Sequence, residues 1–216
     1  MAHKVTEGIS YWPEFDAFWP NYDHAPETCF KFVQRGLPDA DATARLCRER
    51  RICVQAGAHA GFWPRRLAQH FRTVYAFECE PILWECATRN LRRWRVGNVI
   101  LSNSGLGSQA GQMMMRPHKS AGSWAIDPIE GTVPVYLTTI DMLGLKSCDA
   151  IILDVEGWEV EALDGGAKTI AAFRPIIHVE ELPDAKSKIQ AYMKLLHYRP
   201  VAAVHKDVIY KPEEAA

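Results

Sequence analysis

The chain has 216 residues, 48% of them hydrophobic, enough for one large core. With 24% charged residues and a formal net charge of -1, it carries no basic excess to hold a phosphate backbone, so nucleic acid is not an expected partner. No window approaches the ~20 apolar residues of a membrane span. The opening MAHKVTEGIS also lacks the apolar centre of a secretory signal, so a soluble, cytoplasmic protein is expected with no membrane partner. The six cysteines form no CxxC pair and the eight histidines no HxxxH or Cys/His cluster, so neither a metal nor a disulfide framework is expected.

Residues 1–50 read as an aromatic, proline-punctuated arm, YWPEFDAFWPNYDHAPETCF, then a helix over Asp39 to Arg50 beyond the Leu37-Pro38 break. The aromatic residues of the arm are expected to pack beneath the first helix, with a lid over the acceptor as the sharper alternative. From Arg51 the texture changes. Short Val/Ile-rich runs alternate with helix-period segments, the pattern of βαβ units on a parallel sheet, so residues 51–216 are predicted to form the main domain.

Its strands are predicted at Ile52–Gln55, Val74–Phe77, Val99–Ser102, Ile151–Val155 and Ile176–Glu180. Helices are expected over Phe62–Phe71, Pro81–Trp94, Glu159–Ala172 and Ala185–His197. Residues 105–137 interrupt this rhythm and read as a hairpin or loop excursion. The last two strands, VAAV and VIY, are separated by three residues only, which permits an antiparallel hairpin and nothing else. The fold class is therefore α/β, a doubly wound, mostly parallel sheet with an antiparallel C-terminal strand.

In such sheets ligands bind beyond the carboxyl ends of the strands, where strand order reverses. The first strand ends in QAGAHAG, where Gly57 and Gly61 let backbone approach a ligand and leave a helix N-terminus facing it. Glu78 follows about 20 residues beyond the first glycine, the position of a ribose-binding carboxylate. His59 stands where the dinucleotide fingerprint GxGxxG has its middle glycine, and no GxxxxGK[ST] is present. That combination fits S-adenosylmethionine, a nucleoside cofactor without phosphate. Asp154 and Glu156 alternate onto one face at the end of the fourth strand, and His178 and Glu180 do so in the fifth, so titratable groups gather on one rim.

Taken together, VQAGAHAGFW, VYAFECEP with RNLRR, NVILSNSGLG, LTTIDML, ILDVEGWEVEALDGGAKTI and RPIIHVEE, in this order over residues 50–182, resemble the FkbM family of methyltransferases. The resemblance implies a class I, Rossmann-like methyltransferase fold and methyl transfer from S-adenosylmethionine, usually to a hydroxyl of a sugar, polyketide or similar small molecule or glycan. It places Gly57, Ala58 and Gly61 on the cofactor, Glu78 on its ribose, Ser104 or its neighbours near the adenine, and Asp154 and Glu156 at the reaction centre. It departs at Gln55, where the family usually carries a carboxylate for the methionine ammonium. Either Gln55 accepts from the amine without charge, or a carboxylate such as Asp154 supplies it.

An alcohol needs a place for its proton, and His178 or Asp154 is expected to take it, with Glu156 orienting acceptor or base. Two rivals stand beside this reading: a cofactor-binding protein with impaired catalysis, for which Gln55 argues, and a nicotinamide-dependent oxidoreductase, disfavoured by the incomplete fingerprint.

Overall fold

The computed structural model describes residues 8–213; of the opening MAHKVTEGIS read for a leader, residues 1–7 lie outside them. The aromatic arm is a small antiparallel hairpin, β1 (Ile9–Trp12) with β2 (Ala17–Pro20). Two of its rings are core, as the plainer expectation had it: Trp19 is fully buried and Phe15 stacks on Phe30 at 4.2 Å between centroids, while Trp12, Phe18 and Tyr22 are half-buried and Tyr11 is exposed. Helix α1 spans Pro26–Leu46, beginning well before the expected Asp39 and running through Pro38. Pro38 lies on the exposed side, where water replaces the hydrogen bond it cannot donate, while buried Ala40 and Ala44 pack in one cluster with Leu67. Packing outweighs the local break.

The main domain continues with β3 (Ile52–Ala56), α2 (Phe62–Leu67), β4 (Thr73–Phe77), α3 (Pro81–Arg93) and β5 (Val99–Ser102). The excursion then forms a separate four-stranded sheet from β6 (Gly105–Leu106), β7 (Gly111–Arg116), β8 (Ala125–Ile126) and β9 (Val133–Thr138), in the order β6-β9-β7-β8. After it come β10 (Ala150–Leu153), α4 (Glu159–Asp164), α5 (Ala167–Phe173), β11 (Ile176–Glu180), α6 (Lys186–Leu195), β12 (Tyr198–Val204) and β13 (Asp207–Pro212). The single helix expected over Glu159–Ala172 is two, because the chain turns at Gly165-Gly166. A Cβ on Gly165 would meet the Gly107 carbonyl oxygen at 2.0 Å, so only glycine allows this approach.

The central sheet has the order β12-β13-β11-β10-β3-β4-β5. Strands β5, β4, β3, β10 and β11 pair in parallel, and every residue of β10 and β11 is buried, which explains the unbroken apolar run of β10. Strand β13 inserts antiparallel between β11 and β12, as the three-residue connection required. The architecture is that of class I methyltransferase folds, and strand order reverses between β3 and β10.

At this reversal Gly57 adopts φ +82°, and a Cβ there would meet the Asp154 carbonyl oxygen at 1.9 Å. Both the conformation and the space forbid a side chain. Gly57→Ala should therefore cost more than about 3 kcal/mol in chemical denaturation, whereas Gly97→Ala, in an open connection, should stay within about 0.5 kcal/mol.

Candidate active site

The turn after β3 is clamped from both sides. The amides of Gly57 and Ala58 donate to Phe77 O at the end of β4 (3.1 and 3.0 Å), and Asp154 N donates to Ala56 O at 3.2 Å. His59 follows in the left-handed region at φ +51°, and its amide donates to Glu78 Oε2 at 2.7 Å. The other oxygen, Glu78 Oε1, accepts from Glu80 N at 2.9 Å, and Glu80 in turn caps α3 through Ile82 N and Leu83 N. Glu78 is thus held rigidly at the end of β4. Burial pushes its carboxyl up to about 7, against the backbone hydrogen bonds that favour the charged form.

A cleft opens over this turn, lined by Gly57, His59, Glu78, Leu106, Met115 and Trp124. Burial lowers the His59 imidazole to about 4, so the ring is neutral; its Nε2 meets Cys29 Sγ at 3.6 Å. Two buried polar atoms on the cleft wall, His59 Nδ1 and Trp124 Nε1, have no hydrogen-bond partner among the described residues.

The cleft leads past Gly57, Asp154 and Glu156 into a wider hollow of about 600 Å³ between α1 and the β12–β13 turn, with Phe32, Trp63, Glu180 and Lys206 on its walls. Asp154, Glu156 and Glu180 each bring an oxygen to within 4.8 Å of the others. Asp154 is open to the hollow yet sits at its floor with protein on the remaining sides, so burial still weighs on its carboxyl although water reaches it. Burial first, then Glu180, Asp207 and Glu156, hold Asp154 well above the usual carboxylate range. Glu156, half-buried, is pushed up to about 7 by burial and by Glu180. Glu180 is raised by burial and lies 3.7 Å from Lys206 Nζ, which pulls the other way.

Of the residues singled out from sequence, Gly57, His59, Glu78, Asp154 and Glu156 meet on this continuous surface. Five others do not line it. Gln55 is buried beneath the turn, where its Nε2 donates to Ala56 O at 3.1 Å and its Oε1 has no partner. Ala58 is core, and Gly61 caps α2 against Ala87. Ser104 turns its hydroxyl to Ser102 at 2.9 Å, leaving Gly105 and Leu106 on the cleft. His178 is 1% exposed, with Nε2 on Asp207 Oδ2 at 2.9 Å and Nδ1 on Thr43 Oγ1 at 2.8 Å. It stands one step behind the hollow and reaches it only through Asp207.

Sequence reading missed Lys206 and Asp207 as site residues, although the signal was present. If β13 runs against the sheet, β12 runs with it, and the turn between them must return to the carboxyl edge; Asp207 indeed pairs with Glu180. Cys29, Phe32 and Asp39 of α1 had no such signal.

Residues 55–200 match the family model described as the methyltransferase FkbM domain. The chain belongs to this family. The family model is that of a methyltransferase domain, and solved structures with a similar fold include complexes with SAH and with AdoMet. Among solved structures, the chain is similar to methyltransferase FkbM from Methylobacillus flagellatus KT, at 14% identity and TM-score 0.59 over 87% of this chain and 58% of that one. An rRNA methylase from Streptococcus thermophilus aligns at 13% identity and TM-score 0.53 over 82% and 95% of the two chains. TYW2 from M. jannaschii in complex with AdoMet aligns at 12% identity and TM-score 0.50 over 95% and 87%. At these identities the likeness is one of fold. The chain spans under two thirds of the FkbM methyltransferase it resembles. Comparison with curated proteins finds no significant match.

The carboxyl of Glu78 carries a consequence for stability. Its folded value, about 7, lies above the ordinary 4.5, so the folded chain keeps a proton that the unfolded chain releases. This contribution is full below about pH 4.5 and is lost as pH rises through 7. Apart from a constant offset from the altered hydrogen bonds, Glu78→Gln should gain on wild type by about 1–3 kcal/mol between about pH 5 and about pH 8. Denaturant titrations at several pH values measure this; a pH-independent difference would contradict the buried, raised carboxyl.

Proposed function

We propose that the protein methylates a hydroxyl oxygen of a small polyhydroxylated molecule, such as a sugar or a polyketide, with S-adenosylmethionine as donor. The observation that carries this reading is the continuity of two spaces: a cleft over the Gly57 turn with Glu78 in its wall, opening at Asp154 into a hollow large enough for a second molecule. The cofactor supplies an electrophilic methyl group, which leaves its sulfur with the C–S electrons behind and bonds to the acceptor oxygen as that oxygen gives up its proton.

The residues of the chain suit that task. Glu78, fixed by two amides, would accept from the ribose hydroxyls, and the apolar wall of Phe77, Leu83 and Leu106 would take the base. The neutral His59 ring avoids placing a second positive charge beside a sulfonium. The His59 Nδ1 and the Trp124 Nε1, both without a partner among the described residues, are polar groups that a nucleoside amino acid can satisfy. Where a dinucleotide would need open space for its pyrophosphate, the His59 side chain lines the cleft instead, which weighs against a nicotinamide cofactor.

Asp154, open to the hollow and beside the turn, would accept the proton of the acceptor, and Glu156 would orient the hydroxyl. His178 would act at one remove by holding Asp207, which makes it a positioning residue. The neighbouring folds include an rRNA methylase, yet the hollow here is lined by Asp39, Asp154, Glu156, Glu180 and Asp207 against Arg35 and Lys206, so a neutral small molecule or glycan suits it better than a polyanion. Residues 1–50 serve as a support for the domain of residues 51–216 and contribute Cys29, Phe32 and Asp39 to the hollow. No helix among the described residues is long and apolar enough to cross a membrane.

Asp154→Asn should lower turnover by about 10²–10⁴-fold. S-adenosylmethionine affinity, read by calorimetry, should change only a few-fold if Asp154 acts on the acceptor. Tight cofactor binding by wild type with no methyl transfer across a panel of sugars, catechols and polyketides would favour the impaired-binding alternative.

A further inference from the structure

His178 is a polar group in an apolar layer. Its neighbours in register, Ile152 of β10 and Ile209 of β13, are buried in one cluster with Ala40, Ala44 and Leu67 of α1 and α2. Trp63 closes the layer through a T-shaped contact with the imidazole, 5.7 Å between centroids. A polar ring in such surroundings is costly unless each nitrogen finds a partner. Both do: Nδ1 meets Thr43 Oγ1 at 2.8 Å and Nε2 meets Asp207 Oδ2 at 2.9 Å.

The place of the protons follows from counting donors. Thr43 has one hydroxyl hydrogen and two acceptors in reach, His178 Nδ1 and, at 3.0 Å, Asp39 O. Were it given to Asp39 O, Nδ1 would need its own proton, and with Nε2 facing a carboxylate the ring would be a cation in a residue only 1% exposed. Given to Nδ1, it leaves a neutral ring whose single proton lies on Nε2 and is donated to Asp207. The second arrangement avoids a buried cation, and Asp39 O keeps the helical amide of Thr43 as its donor.

Asp207 is thereby held by one oxygen. Its other oxygen, Oδ1, has no hydrogen-bond donor among the described residues, and the side chain lines the hollow with Asp154 and Glu180. The two preceding residues of the turn do not compete for it: His205 engages Asp39 at 3.0 Å, and Lys206 Nζ lies 3.7 Å from Glu180 Oε1. We propose that Asp207 binds a hydroxyl of the acceptor other than the one methylated, with Thr43 and His178 as positioning residues that fix its carboxylate. The hollow then selects molecules with at least two hydroxyls, one for Asp154 and Glu156 and one for Asp207. A carboxylate anchored through one oxygen is an oriented acceptor, and a hydroxyl is a neutral donor that suits it. Helix α1 thus gives residues 1–50 a part in acceptor binding beyond support. The acceptor role rests on the methyltransferase reading above; the chain of bonds from Thr43 to Asp207 stands without it.

The bonds are tested on the full chain labelled with nitrogen-15 histidine, the His178 ring signals being identified by their loss in His178→Gln. Nε2 should carry the proton and Nδ1 none. Thr43→Val should move the Nδ1 signal, and Thr43→Ser should restore it. Two protonated nitrogens, or an Nδ1 signal that ignores Thr43→Val, overturn the chain of bonds. Acceptor binding is tested by kinetics at saturating S-adenosylmethionine with methyl α-glucopyranoside and catechol. Asp207→Ala should raise the acceptor KM by about tenfold or more while kcat changes by less than about threefold. Thr43→Val should raise KM in the same direction and Thr43→Ser should restore it, a pattern that lost stability alone does not produce. If Asp207→Ala folds poorly by circular dichroism, Asp207→Asn, which keeps the bond from His178 beside an uncharged amide, should raise KM by a smaller factor. An unchanged KM in an active variant overturns the role of Asp207 and leaves the methyltransferase reading standing. Absence of methyl transfer to either probe by wild type overturns that reading for polyhydroxylated acceptors and takes the acceptor role with it, and the spectra then decide the bonds alone.

Discussion

The site depends on one close approach. At Gly57 the chain passes so near the Asp154 carbonyl that no Cβ fits, and the same turn sends two amides to Phe77 O. These contacts bring the ends of β3, β4 and β10 to a single point. The wall that carries Glu78 and the floor that carries Asp154 are therefore positioned by backbone, independently of side-chain rotamers. A site built on strand ends in this way is more rigid than one assembled from loops. The flexible choices of side chain are left to the excursion sheet and to α1, where acceptor preference can vary without disturbing the cofactor cleft.

The polar frame of the cleft is in turn held by the aromatic arm. Asn90 of α3 accepts from Phe18 N at 2.6 Å and donates to Phe18 O and Ala60 O, both at 2.9 Å, joining the hairpin, α3 and the first turn. Tyr22 donates to Glu80 at 3.1 Å, and Glu80 caps the helix whose preceding residues hold Glu78. Around these bonds Trp19, Phe15, Phe30 and Phe62 form a close aromatic cluster. The arm thus joins its packing to the Glu78 wall of the cleft through two hydrogen-bonded residues, Asn90 and Glu80, with Trp19 and Phe15 as its buried rings.

Much of this was legible in the residues themselves. Strands β5 and β11 fall at their expected boundaries, since short runs rich in Val and Ile that end in a polar residue mark them in the sequence. Gly57, Glu78, Asp154 and Glu156 were legible because each follows a strand end by a fixed step. Pro38 misled, because local propensity weighs little against the apolar face of α1. His178 misled for another reason. Alternation correctly gives it the same face as Glu180, but not the depth, and α1 and α2 roof that position through Thr43 and Trp63. Whether a residue on the right face reaches a cavity or lies under a helix is a property of packing between distant segments, and period alone does not encode it.

Net charge shows the same limit. A formal charge of -1 says that the chain as a whole neither attracts nor repels polyanions. The fold then separates the charges: carboxylates of β10, β11 and β13 collect at the carboxyl edge of the sheet, while Arg51 and Arg174 sit at the opposite edge, before β3 and β11. What approaches the hollow meets more acidic side chains than the average charge suggests, with Arg35 and Lys206 among them. In the proposed reaction such a lining suits a neutral acceptor. For the acceptor proposed above, the acidic side chains around the hollow argue in the same direction as the composition, toward a neutral molecule and away from a polyanion.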